Sequence, residues 1–170
     1  MSPARAELVN ALELAGREAE LVREYELALL PRLIEAGAMP GTVANAQLRF
    51  ALFDRRPTIA ARVGGVAVLT CQRCLRPCEC KIDEQALLMV VANGSDDVAG
   101  GYEPFLGDAE HLSVVAVVEE QVLLALPLAP MHANSDDCRP AAETAEQGDE
   151  REDRQKPFAN LRDLIDRRRS

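Results

Sequence analysis

A chain of 170 residues with a hydrophobic fraction of 48% has material for one well-filled core, and for little beyond a single domain with a tail. Its formal net charge of −9 argues against general affinity for a phosphate backbone, which rewards an excess of Lys and Arg. Aromatics make up only 4% and Trp is absent, which argues against a platform of stacking rings of the kind single-stranded RNA binders offer.

In chain order, Leu8, Leu12, Ala15, Ala19 and Val22 recur at helical spacing in an Ala/Glu/Arg-rich stretch, predicting a helix within residues 3–20. Residues 21–27 alternate and predict a short strand. Leu29, Leu30, Leu33 and Ile34 form a stripe that stops at Gly37 and Pro40, as a short helix does. From residue 42 the period changes to two: Leu48, Phe50 and Leu52 predict a half-buried strand, with Asp54-Arg55-Arg56-Pro57 as a turn. Ile59, Ala61 and Val63 alternate up to Gly64-Gly65, and Val66, Val68 and Thr70 follow. The twin glycines predict a bulge or tight turn between two short strands. Residues 82–91 predict another strand, ended at Asn93-Gly94-Ser95, and residues 94–110 a loop. Val115, Val118, Val122 and Leu126 share a helical face, so residues 112–126 predict a helix stopped by Pro127.

The acids are concentrated. Residues 136–153 hold eight acids and two arginines, a net of −6, so the remainder of the chain carries −3, and Arg167, Arg168 and Arg169 make its end basic. The fold class expected is α+β: a central antiparallel sheet, partly open and barrel-like, with a few helices. Residues 1–132 are expected as one domain whose first forty residues are partly helical. Residues 133–170 are expected as a flexible acidic tail with a small apolar motif at 157–165. No apolar run approaches the ~20 residues that span a bilayer, and no secretory signal opens the chain.

Five cysteines, odd in number and clustered, suit a reducing cytoplasm with a metal or thiol site better than a disulfide framework. Cys71 and Cys74 are spaced so that two thiolates can converge on one ion at the ~2.3 Å that zinc prefers. His132 and Cys138 complete a Cys3His set, a composition normally closed and structural. Cys78 and Cys80 compete for the remaining positions. A redox reading of the CxxC pair lacks the βαβ context of thioredoxin-like motifs. Glu119-Glu120 as an acid/base pair is disfavoured, because adjacent helical positions diverge and at least one of them is expected on a solvated face. His111 falls in a polar loop and is assigned no chemistry. No phosphate loop, serine elbow or HExxH pattern is present, so no catalytic residue is assigned and no enzyme activity is expected.

Cys71-Gln72-Arg73-Cys74-Leu75-Arg76-Pro77 is similar to the CxRCLxP signature of the YceD family of large ribosomal RNA subunit accumulation proteins. The run from Glu119 to His132, ending Leu126-Pro127-Leu128-Ala129-Pro130-Met131-His132 and followed by Cys138, resembles that family's LPxxPxH signature. Tyr102-Glu103-Pro104 and Lys156-Pro157-Phe158-Ala159-Asn160-Leu161 match in order as well. Together these blocks cover roughly residues 45–165; the N-terminal segment matches poorly, and Cys78 and Cys80 are unusual for the family. The resemblance implies a bacterial or organellar factor in synthesis, processing or stability of large-subunit (23S) ribosomal RNA. Its partner would be that RNA or its precursor, reached directly or through a ribosomal protein. An adaptor that docks a ribosomal protein or assembly factor without touching RNA is the alternative, and a thiol–disulfide enzyme a third. Arg73, Arg76, Arg167, Arg168 and Arg169 are the candidates for RNA or partner contact.

Overall fold

The structure, a computed structural model, describes residues 7–93, 98 and 100–138. Short β1 (Leu8–Val9) leads into α1 (Ala11–Gly16), whose first turn is capped by the Asn10 side chain accepting from the Glu13 amide at 2.9 Å. The helix expected within residues 3–20 is this segment. Leu8 lies on a strand paired with β7 (Leu112–Ser113), and Val22 faces outward from β2 (Glu20–Glu26). The sequence Glu20–Glu26 alternates buried and exposed, as a strand with one covered face must. A 3-10 turn at Leu27–Leu29 passes into α2 (Pro31–Glu35), with Pro at the position where its missing amide costs nothing.

Three long strands follow: β3 (Met39–Phe53), β4 (Arg56–Thr70) and β5 (Pro77–Val91). β3 and β4 join through Asp54 and Arg55 alone, both with positive φ (48° and 61°), the twist that a two-residue hairpin requires. The expected break at Gly64-Gly65 is absent. β4 runs straight through, with Gly65 opposite Ala44 on one side and Ile82 on the other. Gly65 has a φ of 140°, and a Cβ there would stand 2.1 Å from the Val43 carbonyl oxygen, so its role is to let β3 approach. The register shift falls instead on β3, between Met39 and Val43.

The region expected to be one loop, 94–110, contains β6 (Glu103–Leu106), which inserts Phe105 into the core and pairs parallel to β5. The sheet is therefore mixed rather than antiparallel. Its order β2-β3-β4-β5-β6 leaves β2 and β6 as separate edges, so it does not close into a barrel. Four residues with a single core side chain are too short to show a period, which is why this strand was not legible.

α3 (Val114–Ala125) forms where the helical spacing placed it, capped by the Ser113 hydroxyl and ended before Pro127. Its buried face is Val114, Val117, Val118, Gln121 and Val122, rather than the stripe through Val115 and Leu126. Glu119 is 3% exposed and accepts the Arg32 amide at 2.7 Å, so a buried carboxylate holds the start of α2 against α3. Glu120 lies toward solvent beside Arg32, 3.6 Å away. α1 and α3 lie against the inner face of the sheet, where Leu48, Phe50, Ile59, Val63 and Ile82 make the core. Among the described residues no helix is long and apolar enough to cross a membrane. The acidic segment, the apolar motif at 157–165 and Arg167, Arg168 and Arg169 lie outside the described residues.

Candidate metal centre

The connection from β4 to β5 is the CxxC segment. After Thr70 the chain reverses within Cys71–Arg76: the Leu75 amide donates to the Cys71 carbonyl at 2.9 Å, and the Cys71 amide to the Arg76 carbonyl at 2.8 Å. Leu75 takes the left-handed conformation, φ 60°, that closes the reversal before Pro77 pairs with Thr70. The result is a knuckle with the Cys71 sulfur at its buried base and Cys74 nearer solvent.

The second half of the site comes from the segment after α3. Pro127 ends the helix, and the chain then crosses the knuckle so that the Gln72 amide donates to the Pro130 carbonyl at 2.8 Å. A 3-10 turn at Ser135–Cys138 brings the last cysteine inward, where it is buried. The Arg76 guanidinium donates to the Asp137 carbonyl, and Arg73 lies 3.7 Å from the Met131 sulfur. Both arginines proposed for contact are exposed and lie on the knuckle, each already leaning on the crossing segment.

Cys71, Cys74, His132 and Cys138 bring their ligand atoms within 4.8 Å of one another, so the group could hold a metal ion. Cys71 Sγ and Cys138 Sγ are 3.6 Å apart. His132 Nδ1 is 3.5 Å from Cys74 Sγ and 3.4 Å from Cys138 Sγ. A tetrahedral zinc with bonds of about 2.3 Å to sulfur and 2.0 Å to nitrogen has sulfur–sulfur edges of about 3.8 Å and nitrogen–sulfur edges of about 3.5 Å. The three separations lie within about 0.2 Å of those edges. His132 is also oriented correctly: its Nε2 is 3.0 Å from the Pro77 carbonyl oxygen, an acceptor only. Nε2 therefore carries the hydrogen, and Nδ1 turns a lone pair to the three sulfurs. This carbonyl was not legible in the sequence, because its role depends on a strand register.

The electrostatics favour a cation. Burial disfavours ionisation of the Cys71 thiol. The amides of Arg73, Cys74 and His132 outweigh it by donating to the sulfur, holding the thiol below its ordinary value. Cys138 is pushed up by burial and by the neighbouring thiols. Cys71 is thus the first of the pair to ionise, and a positive ion would relieve the crowding that holds the proton on Cys138.

Cys78 and Cys80 stand on β5 opposite Leu69 and Ala67 and face the apolar interior; they are not members of the four-residue group. Burial, with Cys80 and Cys71 nearby, pushes Cys78 up to about 11. The CxxC pair sits between two antiparallel strands, and no helix starts there among the described residues to stabilise a reactive thiolate. His111 pairs with exposed Asp108, 3.0 Å away.

The sequence matches the family model described as large ribosomal RNA subunit accumulation protein YceD over residues 59–165, a span that contains all four of these side chains. A curated relative, the large ribosomal RNA subunit accumulation protein YceD of Haemophilus influenzae, is 28% identical over 165 residues, covering 92% of this chain and 93% of that protein. No solved structure matches.

Proposed function

The chain belongs to the YceD family of large ribosomal RNA subunit accumulation proteins, and from that premise we propose that it is a non-enzymatic cytoplasmic factor in the synthesis, processing or stability of 23S ribosomal RNA. The observation that carries this reading is the span of the family match, which runs from β4 through the knuckle and α3 to beyond Cys138. Zinc is the proposed ion. Three thiolates and an imidazole complete a tetrahedron with no open position, the composition of a structural rather than a catalytic site. When bound, zinc supplies a cross-link between the β4–β5 knuckle and the segment after α3. Arg73 and Arg76, held on that knuckle, are positioned to meet RNA or a ribosomal partner, and Arg167, Arg168 and Arg169 are proposed as a second basic contact.

An adaptor role is the second reading, and one observation favours it: a net charge of −9 suits a basic ribosomal protein at least as well as RNA. In cells lacking the chain, the ratio of large to small ribosomal RNA is expected to fall, with altered precursor lengths, and to recover with the wild-type chain. An unchanged ratio with normal precursors would contradict the reading. RNase treatment of a pulldown separates the two forms: it abolishes an RNA-dependent association and spares an adaptor contact.

A further inference from the structure

One face of the sheet is covered by α1 and α3; the described residues leave the other uncovered. On that face the register of β3, β4 and β5 aligns three rows: Asn45, Gly64 and Asp83; Gln47, Arg62 and Gln85; Arg49, Ala60 and Leu87. Ala60 and Gly64 leave gaps between long neighbours. One gap is a trough of 440 Å³ walled by Gln47, Arg49, Arg62, Gln85 and Leu87. A second hollow of 420 Å³ adjoins it, shares Gln47 and Arg62, and reaches Asn45 and Asp83.

In a chain of net charge −9, the first trough is lined by two guanidinium groups and no carboxylate. Glu20, on the neighbouring edge strand, accepts from Gln47 at 2.5 Å and Arg49 at 3.1 Å and so fixes the planes of both. Arg62 is exposed and makes no hydrogen bond or ion pair among the described residues; its charge is felt by Asp83 across the strand. β3, β4 and β5 are interior strands with their backbones already paired, so an added peptide strand finds nothing to bind here and recognition falls to side chains. A free guanidinium, flanking amides and the apolar surface of Leu87 and Ala60 correspond to the phosphate, the edge and the face of a nucleotide.

We propose that this trough seats nucleotides of single-stranded RNA, with Arg62 at a phosphate and Gln47 and Gln85 at base edges. The assignment rests on the RNA reading above and adds to it the surface. Leu87 takes the place of the aromatic platform that this composition lacks.

The test is fluorescence anisotropy of the full chain with a labelled mixed-sequence RNA of about 12 nucleotides, the length scale of sheet-face sites. Arg62→Glu is expected to melt like the wild type, to weaken binding at least ~tenfold, and to reduce the salt slope by about one. Arg55→Glu, on the exposed β3–β4 turn outside the trough, is expected to leave affinity unchanged. Equal affinity for Arg62→Glu, or equal weakening by both variants, overturns the assignment. So does a wild-type chain that ignores RNA while Arg62→Glu releases a co-purifying ribosomal protein. In cells, full rescue of the ribosomal RNA ratio by an Arg62→Glu chain that binds RNA normally removes the trough alone. An unchanged ratio on removing the whole chain removes the functional reading instead.

Discussion

His132 is held at both ring nitrogens, by the Pro77 carbonyl on one side and by sulfurs on the other, and this fixes the ring in one orientation. Away from the metal centre, Glu7 is clamped in a comparable way. Arg23 donates to it at 2.8 Å and the Tyr25 hydroxyl at 2.9 Å, tying the chain before β1 to β2. The Arg23 hydrogen bond, aided by Tyr25 and opposed by partial burial, holds the Glu7 carboxyl below its ordinary value of 4.5. A depressed acid contributes stability above its unfolded pKa and loses it as pH falls through the folded one. Glu7→Gln is therefore expected to cost about 1 kcal/mol or less near neutrality, because the pair is partly exposed, and nothing at the acid end. Urea titrations at both pH values check it; an equal cost at each would contradict the clamp. The candidate group was legible at this scale: Cys71, Cys74, His132 and Cys138, named from residue type and spacing, are four that the fold brings together. Which of five cysteines belong was not, because Cys78 and Cys80 are excluded only by the face of β5 on which they stand.

At the scale of elements, the twin glycines carry the sharpest contrast. Gly65→Ala would force a Cβ to 2.1 Å from the Val43 oxygen at a φ of 140°, whereas a Cβ on Gly64 meets the Ile82 oxygen at 3.7 Å, an ordinary contact. Gly65→Ala is expected to lose at least ~3 kcal/mol in urea unfolding, and Gly64→Ala no more than about 1 kcal/mol. Similar losses would mean that strand approach is not what Gly65 serves. α2 and α3 offer a second case: Glu119→Ala strands the Arg32 amide and is expected to cost about 2 kcal/mol, with Glu119→Gln milder because an acceptor remains. Equal losses would show that the carboxylate acts through packing alone. Alternation revealed β2, β3 and β5, and helical spacing revealed α3, since each buries a long one-sided surface. Gly-Gly read as a break because close backbone approach and chain reversal use the same residue type. β6 escaped because it is too brief for a period to emerge.

At the scale of the molecule, an open five-stranded sheet has one face covered by helices, one that the described residues leave uncovered, and at the β4–β5 end a knuckle joined to the segment after α3. Two of the motif blocks that marked the family in the sequence are the knuckle and the segment from the end of α3 to His132, about sixty residues apart, which meet only through the fold. Hydrogen bonds from Gln72, Arg76 and His132 already align them, so a bound ion would lock the junction rather than build it. Binding energy at a site of this kind is folding energy, of the order of several kcal/mol.

The most direct measurement is the zinc content of the purified full chain by native mass spectrometry, read with its melting temperature. One zinc per chain is expected, lost on chelation and in Cys74→Ser, with melting lowered by roughly 10 °C. A chain free of zinc, whose Cys74→Ser variant melts at the wild-type temperature, would contradict the metal centre.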